Sequence, residues 1–309
     1  MGKMERLLST AALATGMIVA SAVDSAAQKR VVMETDADEV VTLWDNTTAK
    51  HSNYETNDEV FDGKRVKNTS SADLYIFKAP EDKATGYGIV LVPGGSYRNV
   101  SFSTAYAEWL RDNGVTAAIL KYRLPNYGHK EASYEDAAGA VKYLRENADR
   151  LNVDVRKIGI SGSSAGGHLA ACASNLYVDA VTRPDFSILI YPVTSFDYNV
   201  YRSGTRPSLI GADEKWEGNE AKLSELVEYY SMEKRVGPET PQTFIAHSTN
   251  DKTLVDNSLL YYKGLITHKV PVEMHLWKTG GHGWGFSSEE HVGKGKDKLA
   301  AHRQEFYAV

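Results

Sequence analysis

The sequence is poor in the residues that define several protein classes. It holds one cysteine, Cys172, in 309 residues. A single thiol forms no internal disulfide and no thiolate zinc site, so a disulfide scaffold and a zinc-finger class are both excluded. Positive charge is not in excess: 35 Lys and Arg stand against 40 Asp and Glu, a net charge of −5. A chain without a broad basic face has little with which to neutralise phosphates, which sets nucleic acid aside as a partner. No glycine-rich loop of the dinucleotide or P-loop type is present, so no organic cofactor is implied. There is no internal repeat and no low-complexity tract. Only residues 7–22 approach a long apolar run, and Ser9, Thr10, Thr15 and Gly16 interrupt it. That is weak for a permanent membrane span.

The same run reads better as a targeting segment. Lys3 and Arg6 form a basic start, and Ser25-Ala26-Ala27 places small residues at a signal-peptidase site. Residues 1–27 are expected to be a cleaved secretory signal, with Gln28 the new N-terminus; an uncleaved anchor is the alternative. No cysteine marks a lipoprotein site. Removing the segment takes away Lys3 and Arg6 together with Glu5 and Asp24, so the charge stays −5. Export without disulfides fits a bacterial periplasm or exterior. No membrane attachment is expected after removal.

The remaining chain has globular composition, with 42% hydrophobic and 24% charged residues. Residues 28–70 are polar with short β-like pieces. Beyond them, short apolar runs alternate with amphipathic ones. Ile89-Val90-Leu91-Val92, 116–120, 157–161, 186–191, 243–247 and 272–276 suit strands, and several are apolar enough to be buried on both faces. Residues 105–113, 133–148, 165–176 and 257–265 suit helices. Ser133 is the expected N-cap of the second, with Glu135 and Asp136 in its first turn, and Asp256 that of the last. This alternation predicts a mostly parallel sheet with helices on both faces. Residues 194–240 break the pattern and read as a small insertion over one end of the sheet. The expectation is one domain over 28–309.

Gly162-Ser163-Ser164-Ala165-Gly166 lies between a strand and a small-residue helix. A turn this tight requires glycine on either side and pushes the Ser164 hydroxyl above the sheet edge, beside free helix N–H groups. Ser161 and Ser163 are rivals, but only Ser164 has glycines two before and two after. A serine nucleophile needs a base. Four glycines surround His282 in Thr279-Gly280-Gly281-His282-Gly283-Trp284-Gly285, freeing the backbone to aim the imidazole. His168 reads as a packing or hydrogen-bonding residue, and His247 as a loop holder. The imidazole needs an orienting acid. Asp251 follows a strand, where ligands collect in an open sheet; Asp256 and Asp197 are rivals. Pro93-Gly94-Gly95-Ser96-Tyr97 follows the first strong strand, so N–H groups around Gly94, Gly95 and Ser96 are expected to join that of Ala165 in an oxyanion hole. A metal site from Asp251, His247 and His282 is a weaker option without a tight histidine pair.

Together these residues resemble the α/β-hydrolase superfamily in their nucleophile–acid–histidine order. Pro-Gly-Gly-Ser-Tyr and Gly-Ser-Ser-Ala-Gly-Gly-His-Leu-Ala resemble the esterase branch related to hormone-sensitive lipase, with Pro93 and Ser96 in place of a histidine and a glycine. The segment is closer to secreted bacterial acetylxylan and feruloyl esterases, as are 240–251, 280–283 and Ser208-Leu209-Ile210-Gly211. The resemblance covers roughly 70–290. It implies an α/β-hydrolase fold, a short closing helix near Phe306-Tyr307, and a serine esterase acting on acylated polysaccharide through Ser164, His282 and Asp251. A general short-chain carboxylesterase or lipase, a serine peptidase and a non-catalytic binding protein are the alternatives. A peptidase of the gated type needs a domain for which this chain has no room.

Overall fold

The computed structural model describes residues 28–200, 203–285 and 298–299. The expected export segment 1–27 and the closing residues Phe306-Tyr307 lie outside the described residues.

The polar N-terminal stretch supplies β1 (Glu39–Asp45), β2 (Val60–Phe61) and β3 (Arg65–Lys67). Then follow β4 (Ser71–Phe77), β5 (Gly86–Val92), β6 (Val100–Ser101), α1 (Ala105–Asp112), β7 (Thr116–Lys121), α2 (Lys130–Glu146), β8 (Val153–Ser163), α3 (Ala165–Asn175) and β9 (Phe186–Ile190). Between β9 and β10 (Gln242–Ser248) the chain forms α4 (Thr205–Ile210) and α5 (Glu220–Tyr230). It continues through α6 (Asp256–Thr267) to β11 (Val272–Trp277).

Eight strands form one sheet in the order β1-β4-β7-β5-β8-β9-β10-β11. The pairs from β7 to β11 are parallel, and β4 runs antiparallel to both β1 and β7. The expected mostly parallel sheet is therefore present, with an antiparallel edge that the polar start of the chain did not reveal. Every residue of β4 and β7 is buried, as a strand covered on both faces requires. From β5 the chain crosses through α1 to β7, then returns through α2 to β8 on the other side of β5. Right-handed crossovers in opposite directions place α1 on one face and α2 and α3 on the other. The reversal puts the topological switch point at the C-terminal ends of β5 and β8, where open sheets hold their ligands.

Two expected caps do not form. α2 starts at Lys130, so Ser133 lies inside it, buried, with its hydroxyl donating to the Arg123 carbonyl at 2.6 Å. Glu135 accepts the N–H groups of Lys50 and His51, and Asp136 pairs with the Arg123 guanidinium at 2.6 Å. Asp256 is the first residue of α6 and makes no side-chain cap; Val255 holds the cap position. In α2 these polar groups serve tertiary contacts, which override local capping preference.

The N-terminal stretch is fixed by a buried ionic cluster. The Lys121 ammonium meets Glu59 at 2.6 Å, Asp73 at 2.7 Å and the Val31 carbonyl at 3.1 Å. Its three donors are thereby used, which is what makes a buried ammonium tolerable.

Candidate active site

The turn after β8 explains its glycines. A Cβ on Gly162 would overlap the Gly166 carbonyl, and one on Gly166 would overlap the Val92 carbonyl. Between them Ser164 holds φ +55° and ψ −120°. This is a strained conformation for a residue with a side chain, and it persists because its surroundings over-determine it. The Ser164 N–H donates to the Ile190 carbonyl at 3.1 Å, and its own carbonyl accepts from His168 N and Val193 N.

The loop after β11 presents His282. Its backbone is pinned at several points: Gly281 N–H donates to Asn250 Oδ1 at 2.8 Å, Ser248 Oγ to the Thr279 carbonyl at 3.0 Å, and Gly285 N–H to the Tyr191 hydroxyl at 2.6 Å. Lys298 Nζ donates to the His282 carbonyl at 2.8 Å. The Tyr191 ring lies 4.9 Å from the imidazole. So held, His282 places Nε2 2.9 Å from Ser164 Oγ and Nδ1 2.7 Å from Asp251 Oδ2. The histidine side chain is one-third exposed, whereas the Asp251 carboxylate is fully buried.

Asp251 leaves the end of β10. Burial alone would push its carboxyl up. Hydrogen bonds from His247 and His282, the His282 charge and the Thr253 N–H outweigh that effect and hold it down to about 2. The carboxylate is thus ionised at neutral pH and suited to keeping a proton on His282 Nδ1. Its Oδ1 accepts from Thr253 N at 2.7 Å, and His247 Nε2 lies 3.3 Å from Oδ2.

The structure brings Ser164, His282 and Asp251 into one hydrogen-bonded chain and leaves the rivals out of it. Ser161 bonds Tyr106, and Ser163 bonds Tyr191. Asp197 accepts the Asn199 N–H and bonds no histidine among the described residues. The ring nitrogens of His247 are taken by Ser258 Oγ at 2.8 Å and the Thr253 carbonyl at 3.0 Å. Those contacts use up the lone pair that a metal would need, and among the described residues no group of three His, Cys, Asp or Glu could hold one.

The loop after β5 packs directly on the nucleophile turn. A Cβ on Gly94 would sit 2.7 Å from the Ser163 carbonyl and 3.1 Å from Ser164 Cβ. Gly95 has φ +138°, and its carbonyl accepts from Arg98 N and Asn99 N. Ser96 and Tyr97 stand in the left-handed region at φ +55° and +56°. The third glycine of related segments is therefore accounted for: Ser96 occupies a backbone conformation that glycine adopts freely. No protein acceptor among the described residues takes the N–H of Gly95, Ser96 or Ala165. These donors remain available to a reacting oxygen.

Sequence reasoning missed four supporting residues: Asn250, Tyr191, Tyr97 as a buried hydrogen-bonding group, and His247 as a neighbour of the acid itself. Only Asn250, adjacent to Asp251, carried a local signal.

Comparison with known proteins agrees with this geometry. The chain is 30% identical over 213 residues to the acetylxylan esterase of Xylanibacter ruminicola. It is also 30% identical over 222 residues to endo-1,4-beta-xylanase B of Butyrivibrio fibrisolvens. These alignments take in 67% and 65% of this chain but only 43% and 33% of those relatives' own lengths. Among solved structures, the acetyl ester-xyloside bifunctional hydrolase of Caldicellulosiruptor lactoaceticus superposes with a TM-score of 0.63 at 27% identity, over 92% of this chain and 98% of that one. A family model described as the alpha/beta hydrolase fold matches residues 94–286. With that match across most of the chain, and with the sheet order and the serine turn described above, the protein belongs to the α/β-hydrolase family.

Proposed function

We propose that the protein is a serine carboxylic-ester hydrolase that removes acetyl or similarly small acyl groups from plant polysaccharide such as xylan. The observation that carries this reading is the continuous chain Ser164 Oγ–His282–Asp251, with spacings of 2.9 and 2.7 Å. Such spacing lets an imidazole take the serine proton as the hydroxyl attacks.

Ser164 Oγ adds to the ester carbonyl carbon while its proton passes to His282 Nε2. Asp251 stabilises the imidazolium through Nδ1. The tetrahedral oxygen takes up N–H donors from Ala165 and the Gly94-Gly95-Ser96 loop, each worth roughly 3 kcal/mol to the barrier. Collapse breaks the bond to the sugar oxygen, which takes the proton from Nε2 and leaves as a hydroxyl. Water then repeats the sequence on the acyl-enzyme and releases the acid. No cofactor or metal takes part.

The polysaccharide substrate is supported by relatives named as an acetylxylan esterase, a xylanase and an acetyl ester-xyloside hydrolase. Residues 1–27 carry the chain out of the cytoplasm, to where such polymers are found. The test compares 4-nitrophenyl acetate, butyrate and octanoate with wild type and Ser164→Ala, followed by acetylated xylan. Acetate preference that disappears in the variant, together with acetate release from xylan, supports the reading. Preference for octanoate moves the substrate to lipid-type esters, and activity that survives Ser164→Ala refutes the nucleophile.

A further inference from the structure

The loop after β5 carries two consecutive non-glycine residues in the left-handed region, Ser96 and Tyr97. Something outside the loop must hold them there, because each would relax in a free chain. Two buried hydroxyl contacts tie the loop down. At its start, the Tyr122 hydroxyl donates to the Pro93 carbonyl at 3.1 Å. At its far end, the Tyr97 hydroxyl lies 3.0 Å from His168 Nδ1.

The second contact reaches into the nucleophile helix. His168 is one turn beyond Ser164, and its N–H donates to the Ser164 carbonyl at 3.2 Å. Its Nε2 lies 2.8 Å from the Tyr230 carbonyl at the end of α5. A carbonyl only accepts, so Nε2 carries the proton, Nδ1 is the acceptor and the Tyr97 hydroxyl is the donor. The imidazole also stacks on Phe196, with ring centres 4.5 Å apart and planes inclined by 8°. Phe196 and Tyr230 both lie between β9 and β10. Complete burial holds the imidazole neutral, with its pKa down to about 4, so the acceptor is present at neutral pH.

We propose that His168 is a positioning residue of the active site: through the Tyr97 hydroxyl it locks the Gly94–Tyr97 loop at a fixed distance from Ser164, so that the loop's N–H donors are set before substrate arrives. This rests on the serine-esterase reading above. Donors fixed in advance favour the tetrahedral oxyanion over the planar ester. Loss of the lock therefore acts on turnover and leaves ground-state binding largely intact.

The test uses full-length protein with four substitutions. Tyr97→Phe removes only the donor. His168→Leu removes the acceptor. His168→Asn keeps an acceptor, because Oδ1 lies as many bonds from Cα as Nδ1 does. Tyr97→Phe/His168→Leu tests whether the pair acts as a unit. Active sites are counted by fluorophosphonate titration, so misfolded protein does not enter the rate. We expect kcat on 4-nitrophenyl acetate to fall about 10–100-fold in Tyr97→Phe and His168→Leu with KM within about twofold, a range set below full loss of one oxyanion donor. Inhibition by a trifluoromethyl ketone, which mimics the tetrahedral oxyanion, should weaken by the same factor. His168→Asn should recover most of the rate, and the double variant should be no worse than either single one. A folded Tyr97→Phe with kcat within twofold of wild type overturns the proposal. So does His168→Asn no better than His168→Leu, or ketone affinity that does not follow kcat.

The two readings fail differently. A wild type that hydrolyses none of the esters but labels with fluorophosphonate removes the ester substrate and leaves the lock to be judged by labelling rate across the same variants. A wild type that does neither removes both.

Discussion

Replacing Asp251 with Asn changes two atoms' chemistry and almost no volume. In the native site the carboxylate receives His282 Nδ1 at 2.7 Å and Thr253 N at 2.7 Å, with His247 Nε2 3.3 Å away. A carboxamide offers one accepting oxygen and one NH2. If the oxygen keeps the Thr253 N–H, the NH2 faces His282. The imidazole must then present Nδ1 as an acceptor and carry its proton on Nε2, toward Ser164 Oγ, where it cannot receive the serine proton. If the oxygen turns to His282, the NH2 meets the Thr253 N–H, and two buried donors oppose each other. The first arrangement removes activity and the second removes stability. The wrong tautomer lowers kcat by roughly 10⁴ in a triad of this kind, about 5.5 kcal/mol on the barrier. Steady-state hydrolysis of 4-nitrophenyl acetate at neutral pH measures it, with circular dichroism to confirm the fold. KM should stay near its native value, because the carboxylate is buried beneath the imidazole. A folded Asp251→Asn within tenfold of the native kcat would show that the acid does not set the tautomer.

Three further outcomes are expected. His168 is buried and neutral with a pKa down to about 4, whereas an unfolded chain protonates it near 6.5; the unfolded state binds more protons between those values, so stability falls by up to about 3 kcal/mol as pH drops through that window. Thermal unfolding of wild type and His168→Asn over this range should show a smaller fall in the variant, and equal falls would refute the assignment. Gly166→Ala should lower stability by about 3 kcal/mol or more, because the clash is with the Val92 backbone, which cannot turn aside; a soluble variant with native Tm would contradict the turn geometry. Lys121→Met should lose about 3–5 kcal/mol by leaving Glu59 buried without a cation and Asp73 with Arg30 alone, read as a shift in urea midpoint.

Ser164 and His282 were legible because local geometry demands them, and Asp251 because it follows a strand at the ligand-binding edge of the sheet. Gly162 and Gly166 announce a turn in which a Cβ has no space, and the glycines around His282 announce a loop that must aim a ring. The parallel strands were legible because burial on both faces leaves unbroken apolar runs such as 89–92. The antiparallel edge was harder to see. β1 alternates partly exposed and exposed residues, and β4 holds a buried aspartate that makes sense only once Lys121 and Arg30 are beside it. The cap of α2 was misread for a related reason: Ser133, Glu135 and Asp136 serve partners at least ten residues away in sequence, and no local pattern names them. The Tyr97–His168 contact spans 71 residues and was equally invisible.

The ionic cluster at Lys121 sets the limits of the folding unit. The family-matched segment begins at Gly94, yet the counter-charges of Lys121 come from Glu59 and Asp73, and the Arg123 guanidinium reaches the His51 carbonyl. A fragment cut at the family boundary would bury Lys121 with none of its three acceptors and Arg123 without its contacts to Asn46 and His51. The family-matched segment and the polar stretch before it therefore fold as one piece. A fragment that keeps these core charges paired has to begin upstream of Val31, whose carbonyl is the third acceptor of the lysine.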